Sequence, residues 1–358
     1  MDLTPVIRHL EKLVGFDTQN PPRDLHGESE IWRYISAALP DGFNIDITDH
    51  GKGRVSFFAV RGQPGLLFNV HLDTVPVLQG SAHPPLTLVV EDGRAHGRGA
   101  CDIKGAAACL LHVAATTSAP MALLFTTDEE GAEGCCVNEF IAAGRAEPFR
   151  QVVVAEPTGC LAETRHRGYL SVKGSFDGVS GHSSERRSLA DNAIHRMALW
   201  SAAAVESARE ADAQGNRTCF NIGTVEGGVK SNVIADRVDL HWSARLPAGA
   251  DNEAFVHRMS TLEAAGHARW HVPFSGPPLP NREGGDAAAM AFAEARQLVQ
   301  GTGLDFWTEA SLFSAAGMPA LVLGPGHIEQ AHAVDEWVEL VQLQRAFEIY
   351  SGLVTSDA

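Results

Sequence analysis

Short, almost continuously apolar runs separated by helical patterns are the feature that most constrains the fold of this chain. The runs lack the in-and-out alternation of a strand with one hydrated face, and they lie at 54–60, 65–70, 121–127, 151–156 and 319–324. The helical patterns lie near 3–15, 28–38, 133–143, 286–299 and 335–352, with another directly after Asp102. Such strands are typical of an α/β sheet that helices cover on both faces.

The middle of the chain has a different pattern. Residues 168–275 predict strand, helix, strand, strand, helix and strand in turn, with the helices at 189–213 and 251–266. This β-α-β-β-α-β order is that of a ferredoxin-like α+β domain. The α/β pattern resumes after a proline-rich break, SGPPLPN. We therefore predict a discontinuous large domain, 1–167 and 277–358, and an inserted domain, 168–276.

Composition excludes some classes of partner. The net charge of −16 argues against nucleic acid and anionic membranes, because both attract basic proteins. No apolar run reaches the roughly 18 residues of a membrane span, and the start of the chain lacks the layout of a signal peptide. The six cysteines form no C-x-x-C pair, which favours free thiols in a reducing compartment. We expect a cytoplasmic protein.

The stretch AHGRGACDIKG at 95–105 is similar to a phosphate-binding loop, but its pattern fails. Asp102 stands where G-x-G-x-x-G needs its third glycine. Lys104 stands between Ile103 and a glycine, so it does not match the lysine of a P-loop either. Lys104 then either points outward at the start of a helix or pairs with nearby acids.

Acids and histidines follow the predicted strands and the glycine-rich turn, at the edge where open α/β sheets bind ligands. Each alone has an ordinary alternative, such as a surface histidine, a helix cap or an acidic helix start. Five such places on one edge indicate a metal site: His71-Leu72-Asp73, Asp102, Asp128-Glu129-Glu130, Glu156 and His332.

The ligand types define the class of metal. Two histidines with several carboxylates suit Zn²⁺, Co²⁺ or Mn²⁺ at a catalytic centre, whereas Ca²⁺ and Mg²⁺ prefer oxygen ligands alone. The carboxylates are too many for one tetrahedral ion. The ligand set therefore indicates two metal ions, bridged by a shared carboxylate.

These motifs, in this order, resemble the M20 metallopeptidase family over nearly the whole chain. The matching segments are His71-x-Asp73, Gly99-x-x-Asp102-x-Lys104-Gly105, Asp128-Glu129-Glu130, Ala155-Glu156-Pro157-Thr158 and Ala331-His332-x-x-Asp335-Glu336. The resemblance implies a zinc-peptidase-like catalytic domain with a mixed sheet, and an inserted domain that serves as lid and dimer interface. It also implies a cis peptide between Asp102 and Ile103.

The resemblance assigns a role to each ligand-type residue. Asp102 would bridge two divalent ions, Zn²⁺ or Co²⁺. One ion would be completed by His71 and Glu156, and the other by Glu130 and His332. Glu129 would be the general base, and Asp73 would accept a hydrogen bond from His71 and fix its tautomer.

Substrate-binding residues follow from the same resemblance. His182, in the segment GVSGHSS, would reach the oxyanion in the active site of the partner subunit, which implies a homodimer. Asn232 would contact the substrate. Arg245 would pair with the substrate carboxylate, although SAR stands here where the family commonly has D-x-R. The glycines of Gly324-Pro325-Gly326 would lie near that carboxylate.

The implied activity is hydrolysis of an amide bond in a small molecule. Within the family the chain is most similar to the branch of arginine biosynthesis that deacetylates N-acetyl-L-citrulline or N-acetyl-L-ornithine. Alternatives are succinyl-diaminopimelate desuccinylase activity and M20 dipeptidase or carboxypeptidase activity. A non-catalytic binding protein on this scaffold is a further alternative, but every ligand and Glu129 are retained.

Overall fold

The computed structural model describes residues 2–131, 135–213, 217–263, 266, 268–281 and 284–357. This described part of the chain divides into two compact units. The first comprises Met1–Arg165, Glu283–Gly303 and Thr308–Ala358, and the second comprises His166–Arg282 and Leu304–Trp307. Within the described residues, no helix is both long enough and apolar enough to cross a membrane.

The elements are numbered in chain order. The helices are α1 (Thr4–Gly15), α2 (Glu30–Ala38), α3 (Gly105–Thr116), α4 (Cys135–Ala142), α5 (Ser188–Asp191), α6 (Ala193–Ala211), α7 (Asn252–Ser260), α8 (Ala287–Ala295), α9 (Ala310–Ala315) and α10 (Leu340–Ser356). The strands are β1 (Asn44–Gly51), β2 (Arg54–Arg61), β3 (Leu66–His71), β4 (Val89–Glu91), β5 (Arg94–His96), β6 (Met121–Thr126), β7 (Gln151–Val154), β8 (Gly168–Asp177), β9 (Cys219–Gly227), β10 (Arg237–Leu246), β11 (Ala268–Gly276), β12 (Ala320–Val322) and β13 (Trp337–Glu339).

The first unit is built on a mixed sheet with the strand order β1-β2-β6-β3-β7-β12. Strands β6, β3, β7 and β12 are parallel, whereas β1 and β2 are antiparallel additions at one side. The five apolar runs predicted as strands form β2, β3, β6, β7 and β12, and all of these except β2 are buried along their whole length. Helix α3 is apolar on nearly every side and packs against α1 and α10. Each large apolar side chain buried here stabilises the fold by about 1.5–3 kcal/mol.

Two predicted helices in the first unit have wrong bounds. The helix predicted at 335–352 begins only at Leu340, because Trp337–Glu339 pairs with β5 as a strand. The helix predicted at 286–299 ends at Ala295. The helix predicted at 133–143 is present as α4, and the first residues of that prediction lie outside the described residues.

The second unit follows the predicted order of elements around the antiparallel sheet β11-β8-β10-β9. Helices α6 and α7 pack against this sheet, with Trp200 and Trp242 in the core between them. The single helix predicted at 189–213 is wrong, because Asn192 interrupts it. The Asn192 side chain accepts hydrogen bonds from the backbone amides of Ile194 and His195 and so caps α6. The helix predicted at 251–266 ends at Ser260.

Candidate active site

The parallel strands of the large sheet bring the predicted ligands to one edge. His71 is the last residue of β3, Glu129 and Glu130 follow β6, and Glu156 follows β7. Because β3, β6 and β7 run in the same direction, their carboxyl ends meet at the same edge of the sheet. Side chains placed just beyond those ends converge without any long connection.

Asp102 reaches this edge from a tight turn over Ala100–Lys104. The turn follows Gly99, which has φ +82°, and leaves helical geometry at Asp102 and Ile103. The peptide bond between Asp102 and Ile103 is cis, as the family resemblance implies. The glycine-rich segment therefore presents a carboxylate to the site, where a phosphate-binding loop would present backbone amides.

Glu336 holds this turn in place. Its buried carboxylate accepts hydrogen bonds from the backbone amides of Gly99, Cys101 and Asp102, each at 2.9 Å. The Arg98 guanidinium donates to the same carboxylate at 2.7 Å, and both side chains are 2% exposed. One carboxylate therefore satisfies three backbone amides of an irregular turn.

The two oxygens of Asp102 face two different histidines. Oδ1 lies 3.1 Å from Nε2 of His71, and Oδ2 lies 3.2 Å from Nε2 of His332. His71 Nε2 is also 3.7 Å from Glu156 Oε1, and His332 Nε2 is 3.1 Å from Glu130 Oε1. Two groups of donor atoms with metal-binding spacing result, and they share Asp102.

The surroundings of His71 fix its tautomer. Nδ1 of His71 donates to the main-chain carbonyl of Asp73 at 3.0 Å, so the neutral, metal-binding form of the imidazole would carry its lone pair on Nε2. The Asp73 carboxylate, the acceptor expected from the resemblance, lies farther away, with Oδ1 3.5 Å from Nδ1. Its Oδ2 accepts from Asn20 Nδ2 at 2.8 Å and from the Glu130 amide at 3.0 Å. Asp73 thus ties the loop that carries Glu130 to the end of β3.

The acids and histidines of the site perturb each other strongly. Burial opposes a charge on Asp102, but hydrogen bonds from His332 and His71 hold its pKa below the usual value. Hydrogen bonds to Asp102 and Glu130 raise the pKa of His332 to about 11. Burial raises the pKa of Glu156 to about 7. When no cation is bound, protons on the histidines thus compensate for the negative charge of the clustered carboxylates.

Glu129 and Asp128 differ in role although they are neighbours. Asp128 Oδ2 accepts from the backbone amides of Cys135 and Cys136, so Asp128 caps the start of α4. Burial, reinforced by the carboxylates of Glu156 and Glu130, raises the pKa of Glu129 well above its usual value. A carboxylate with a raised pKa beside a cluster of metal-ligand type is suited to accept a proton near neutral pH.

The two glycines of Gly324-Pro325-Gly326 lie against residues at or next to the predicted ligands. A Cβ on Gly324 would come within 2.6 Å of the Glu156 carbonyl oxygen. A Cβ on Gly326, which has φ +86°, would come within 2.4 Å of Cys101 Sγ. Both positions require glycine because the chain approaches a ligand-bearing segment closely.

The other predicted substrate-binding residues belong to the second unit. His182 is exposed, and its Nδ1 shares a hydrogen bond with Ser184 Oγ at 2.8 Å. The loop of Asn232 lies beside it, because the Ser183 amide donates to the Asn232 carbonyl at 3.1 Å. Arg245 lies on β10, with its guanidinium 4.0 Å from the centre of the Tyr169 ring.

Several residues that support the site had no assigned role in the sequence. Glu336 belongs to the segment that contains His332 but has no role assigned there, and Asn20 lies outside every motif. Glu309 is buried against the end of β6, where its Oε2 accepts from Thr126 Oγ1 at 2.9 Å. Lys104 does not point outward. It is fully buried, and its Nζ donates to the Phe16 carbonyl at 3.0 Å.

Comparisons with known proteins show the family of the chain. The chain is 43% identical to N-acetyl-L-citrulline deacetylase of Xanthomonas campestris pv. campestris, over 99% of both chains. It is 30% identical to acetylornithine deacetylase of Myxococcus xanthus, over 99% of this chain and 98% of that one. The structure of an M20 family metallo-carboxypeptidase from Sulfolobus solfataricus covers 99% of both chains with a TM-score of 0.73 and 15% identity. The model of peptidase family M20/M25/M40 matches residues 67–356, and the chain therefore belongs to this family of hydrolases.

Proposed function

We propose that this hydrolase removes the acetyl group from N-acetyl-L-citrulline, releasing acetate and L-citrulline. The observation that carries the proposal is the carboxylate of Asp102, whose two oxygens face two separate histidine and carboxylate groups. The substrate follows from the 43% identical relative from Xanthomonas campestris. N-acetyl-L-ornithine is the second candidate, supported by the more distant acetylornithine deacetylases.

Two divalent ions, Zn²⁺ or Co²⁺, fit the residues of the site. His71 and Glu156 would hold one, Glu130 and His332 the other, and Asp102 would bridge them. Glu156 Oε1 is buried and has no hydrogen-bond partner among the described residues, as expected of an oxygen reserved for a cation. Such ions lower the pKa of water toward about 7 and polarise the carbonyl group of the amide.

Glu129 would move the proton in this reaction. Its carboxylate would take a proton from the attacking water and later deliver it to the nitrogen of the leaving amine. A raised pKa helps both halves of that task, because the group must be basic enough to accept and acidic enough to donate near neutral pH.

The remaining predicted residues would bind the rest of the substrate. Arg245 would pair with the carboxylate of the amino acid, Asn232 would contact the substrate, and Gly324 and Gly326 would leave room beside it. His182 would donate to the oxyanion. We propose that it does so in the active site of the partner subunit.

A homodimer is supported by the exposed edge of the second unit. Strand β9 pairs only with β10 in the described sheet, and its nine residues include a single charge. Exposed strand edges of this kind favour pairing with another chain. All six cysteines are free, which supports a cytoplasmic location.

The substrate assignment is tested with metal-reconstituted enzyme and a panel of N-acetyl-L-citrulline, N-acetyl-L-ornithine, succinyl-diaminopimelate and dipeptides. We expect the highest kcat/KM with N-acetyl-L-citrulline and loss of activity on chelation. Preference for the succinylated substrate or a dipeptide would overturn the assignment. Ligand binding without any hydrolysis would instead indicate a binding protein.

The role of Glu129 is tested by Glu129→Gln. We expect kcat to fall by about 10²–10⁴-fold while the protein still binds its metal ions. Glu139→Gln removes the same charge from the exposed face of α4 and should leave kcat unchanged. Equal activity of the two variants would refute the role.

Sharing of active sites is tested by mixing His182→Ala with Glu129→Gln protein under conditions that exchange subunits. Half of the randomly exchanged dimers are mixed, and each contains one complete site if His182 acts across the interface, so about a quarter of the wild-type rate should return. No recovery in proven mixed dimers would place His182 outside the partner's site.

A further inference from the structure

We infer that the first unit binds an additional divalent cation, away from the candidate active site, through His83, Glu91 and His96. One nitrogen of each histidine and one carboxylate oxygen of Glu91 lie within 4.8 Å of one another. The imidazole rings of His83 and His96 stack with their centres 4.4 Å apart, and His83 Nε2 lies 2.8 Å from Glu91 Oε1. No residue of this cluster has a part in the proposed hydrolysis.

The pairing of the strands explains why these side chains converge. Glu91 is the last residue of β4 and His96 the last of β5, and the two strands form an antiparallel hairpin. Val89 lies opposite His96, so Glu91, two residues on, presents its side chain on the same face as His96. His83 joins them from the preceding loop.

The other nitrogen of His83 faces a second carboxylate. Asp335 Oδ1 lies 3.8 Å from His83 Nδ1 and is anchored by hydrogen bonds from Ser81 Oγ at 2.6 Å and the Ala82 amide at 2.7 Å. A histidine that ligates a metal usually donates its remaining N–H to a carboxylate, which orients the ring. Asp335 lies on the Nδ1 side of the His83 ring and Glu91 on the Nε2 side, but the 3.8 Å to Asp335 is longer than a hydrogen bond.

The donor set selects the kind of ion. Two imidazole nitrogens and one carboxylate oxygen suit Zn²⁺, Co²⁺ or Ni²⁺, whereas Ca²⁺ and Mg²⁺ prefer oxygen alone. The side chains of His83 and Glu91 are 22% and 53% exposed, so an ion can enter from solvent and keep water as its remaining ligand. The net charge of −16 raises the local concentration of cations.

An ion here would brace the part of the fold that carries Glu336. His96 pairs with Trp337 across β5 and β13, and Asp335 immediately precedes Glu336 in the chain. Cross-linking the 81–83 loop to the β4–β5 hairpin would therefore stabilise the segment that holds the Asp102 turn. The expected role is structural.

The test is the number of Zn²⁺ ions bound per chain, measured by equilibrium dialysis and elemental analysis on full-length protein, with Zn²⁺ alone as the probe. Wild-type protein should bind one more ion than His96→Gln and one more than Glu91→Gln at saturation. Asp335→Asn should keep that ion but bind it about 10–100-fold more weakly. His195→Gln removes an exposed histidine from α6 and should bind as many ions as wild type.

The readout is a difference between variants, so it does not depend on how many ions the active site holds or on which substrate is cleaved. Glu91 lies at an exposed strand end, and circular dichroism of Glu91→Gln will verify that the fold is retained. Equal Zn²⁺ content in wild type, His96→Gln and Glu91→Gln would overturn the inference. Loss of the same ion in His195→Gln would also overturn it.

Discussion

Replacing Glu336 by glutamine removes the support of the Asp102 turn without changing the size of the side chain. In the wild type, both carboxylate oxygens are used, by the amides of Gly99, Cys101 and Asp102 and by the Arg98 guanidinium. A glutamine offers only one acceptor oxygen. Its NH₂ group takes the place of the other oxygen, where it faces N–H donors that it cannot bind. Two buried donors then lose their partner.

The magnitude follows from what is left unpaired. The Arg98 and Glu336 side chains are each 2% exposed, so little solvent can replace the lost ion pair. Breaking a buried pair by removing one partner costs about 3–5 kcal/mol, and an unsatisfied buried amide costs about 1–3 kcal/mol. We expect Glu336→Gln to lower the free energy of unfolding by about 3–5 kcal/mol.

The catalytic effect should accompany the loss of stability. Because Glu336 binds the amide of Asp102 itself, its replacement displaces the carboxylate that the two metal groups share. A displacement of about 1 Å near the reacting atoms can cost on the order of 10²-fold in rate, so kcat should fall by at least tenfold with a smaller change in KM.

Urea unfolding of the metal-free protein and steady-state kinetics of the metal-loaded protein measure both effects. Glu329→Gln is the matched control, because Glu329 is an exposed acid of the same chain segment. If Glu336→Gln unfolds and turns over like Glu329→Gln, the three backbone hydrogen bonds to Glu336 do not hold the turn.

Two further predictions concern stability. Burial raises the pKa of Glu309 from 4.5 to about 8, so as pH rises through this range the unfolded chain loses its proton first and the folded metal-free protein loses stability. Glu309→Gln should match wild type below pH 4.5 and become more stable by up to about 5 kcal/mol above pH 8, and a pH-independent difference in urea unfolding would contradict this. Gly326→Ala should lower stability by about 1–3 kcal/mol, because φ is +86° and the new methyl group meets Cys101 Sγ. Gly352→Ala, in α10 with open space around it, should raise stability by about 0.5–1 kcal/mol, and thermal unfolding that ranks the two variants the other way would be inconsistent with this account.

The sequence correctly predicted the strands that are fully buried. The runs that form β3, β6 and β7 are apolar on both faces, and a parallel sheet covered by helices on both sides keeps them away from solvent. Strand β1 was not predicted because its residues, NIDITDHG, are mostly exposed at the sheet edge. Strands β4, β5 and β13 have three residues each, too few for any periodicity to be visible.

The sequence was also informative about the site, since strand ends converge wherever parallel strands are adjacent. That rule predicts that His71, Glu130 and Glu156 lie together. It could not find Glu336 or Asn20, because their roles depend on hydrogen bonds to backbone groups and side chains far away in the chain. Such partners leave no spacing signal in a single sequence.

We propose that two divalent ions share the carboxylate of Asp102. Anomalous diffraction at the zinc edge, from crystals of the Zn²⁺-loaded protein, tests it most directly. We predict two peaks at the edge of the large sheet, about 3.5–4 Å apart, with Oδ1 of Asp102 bound to the ion near His71 and Oδ2 to the ion near His332. A single peak there, or two peaks with Asp102 bound to only one, would contradict the account.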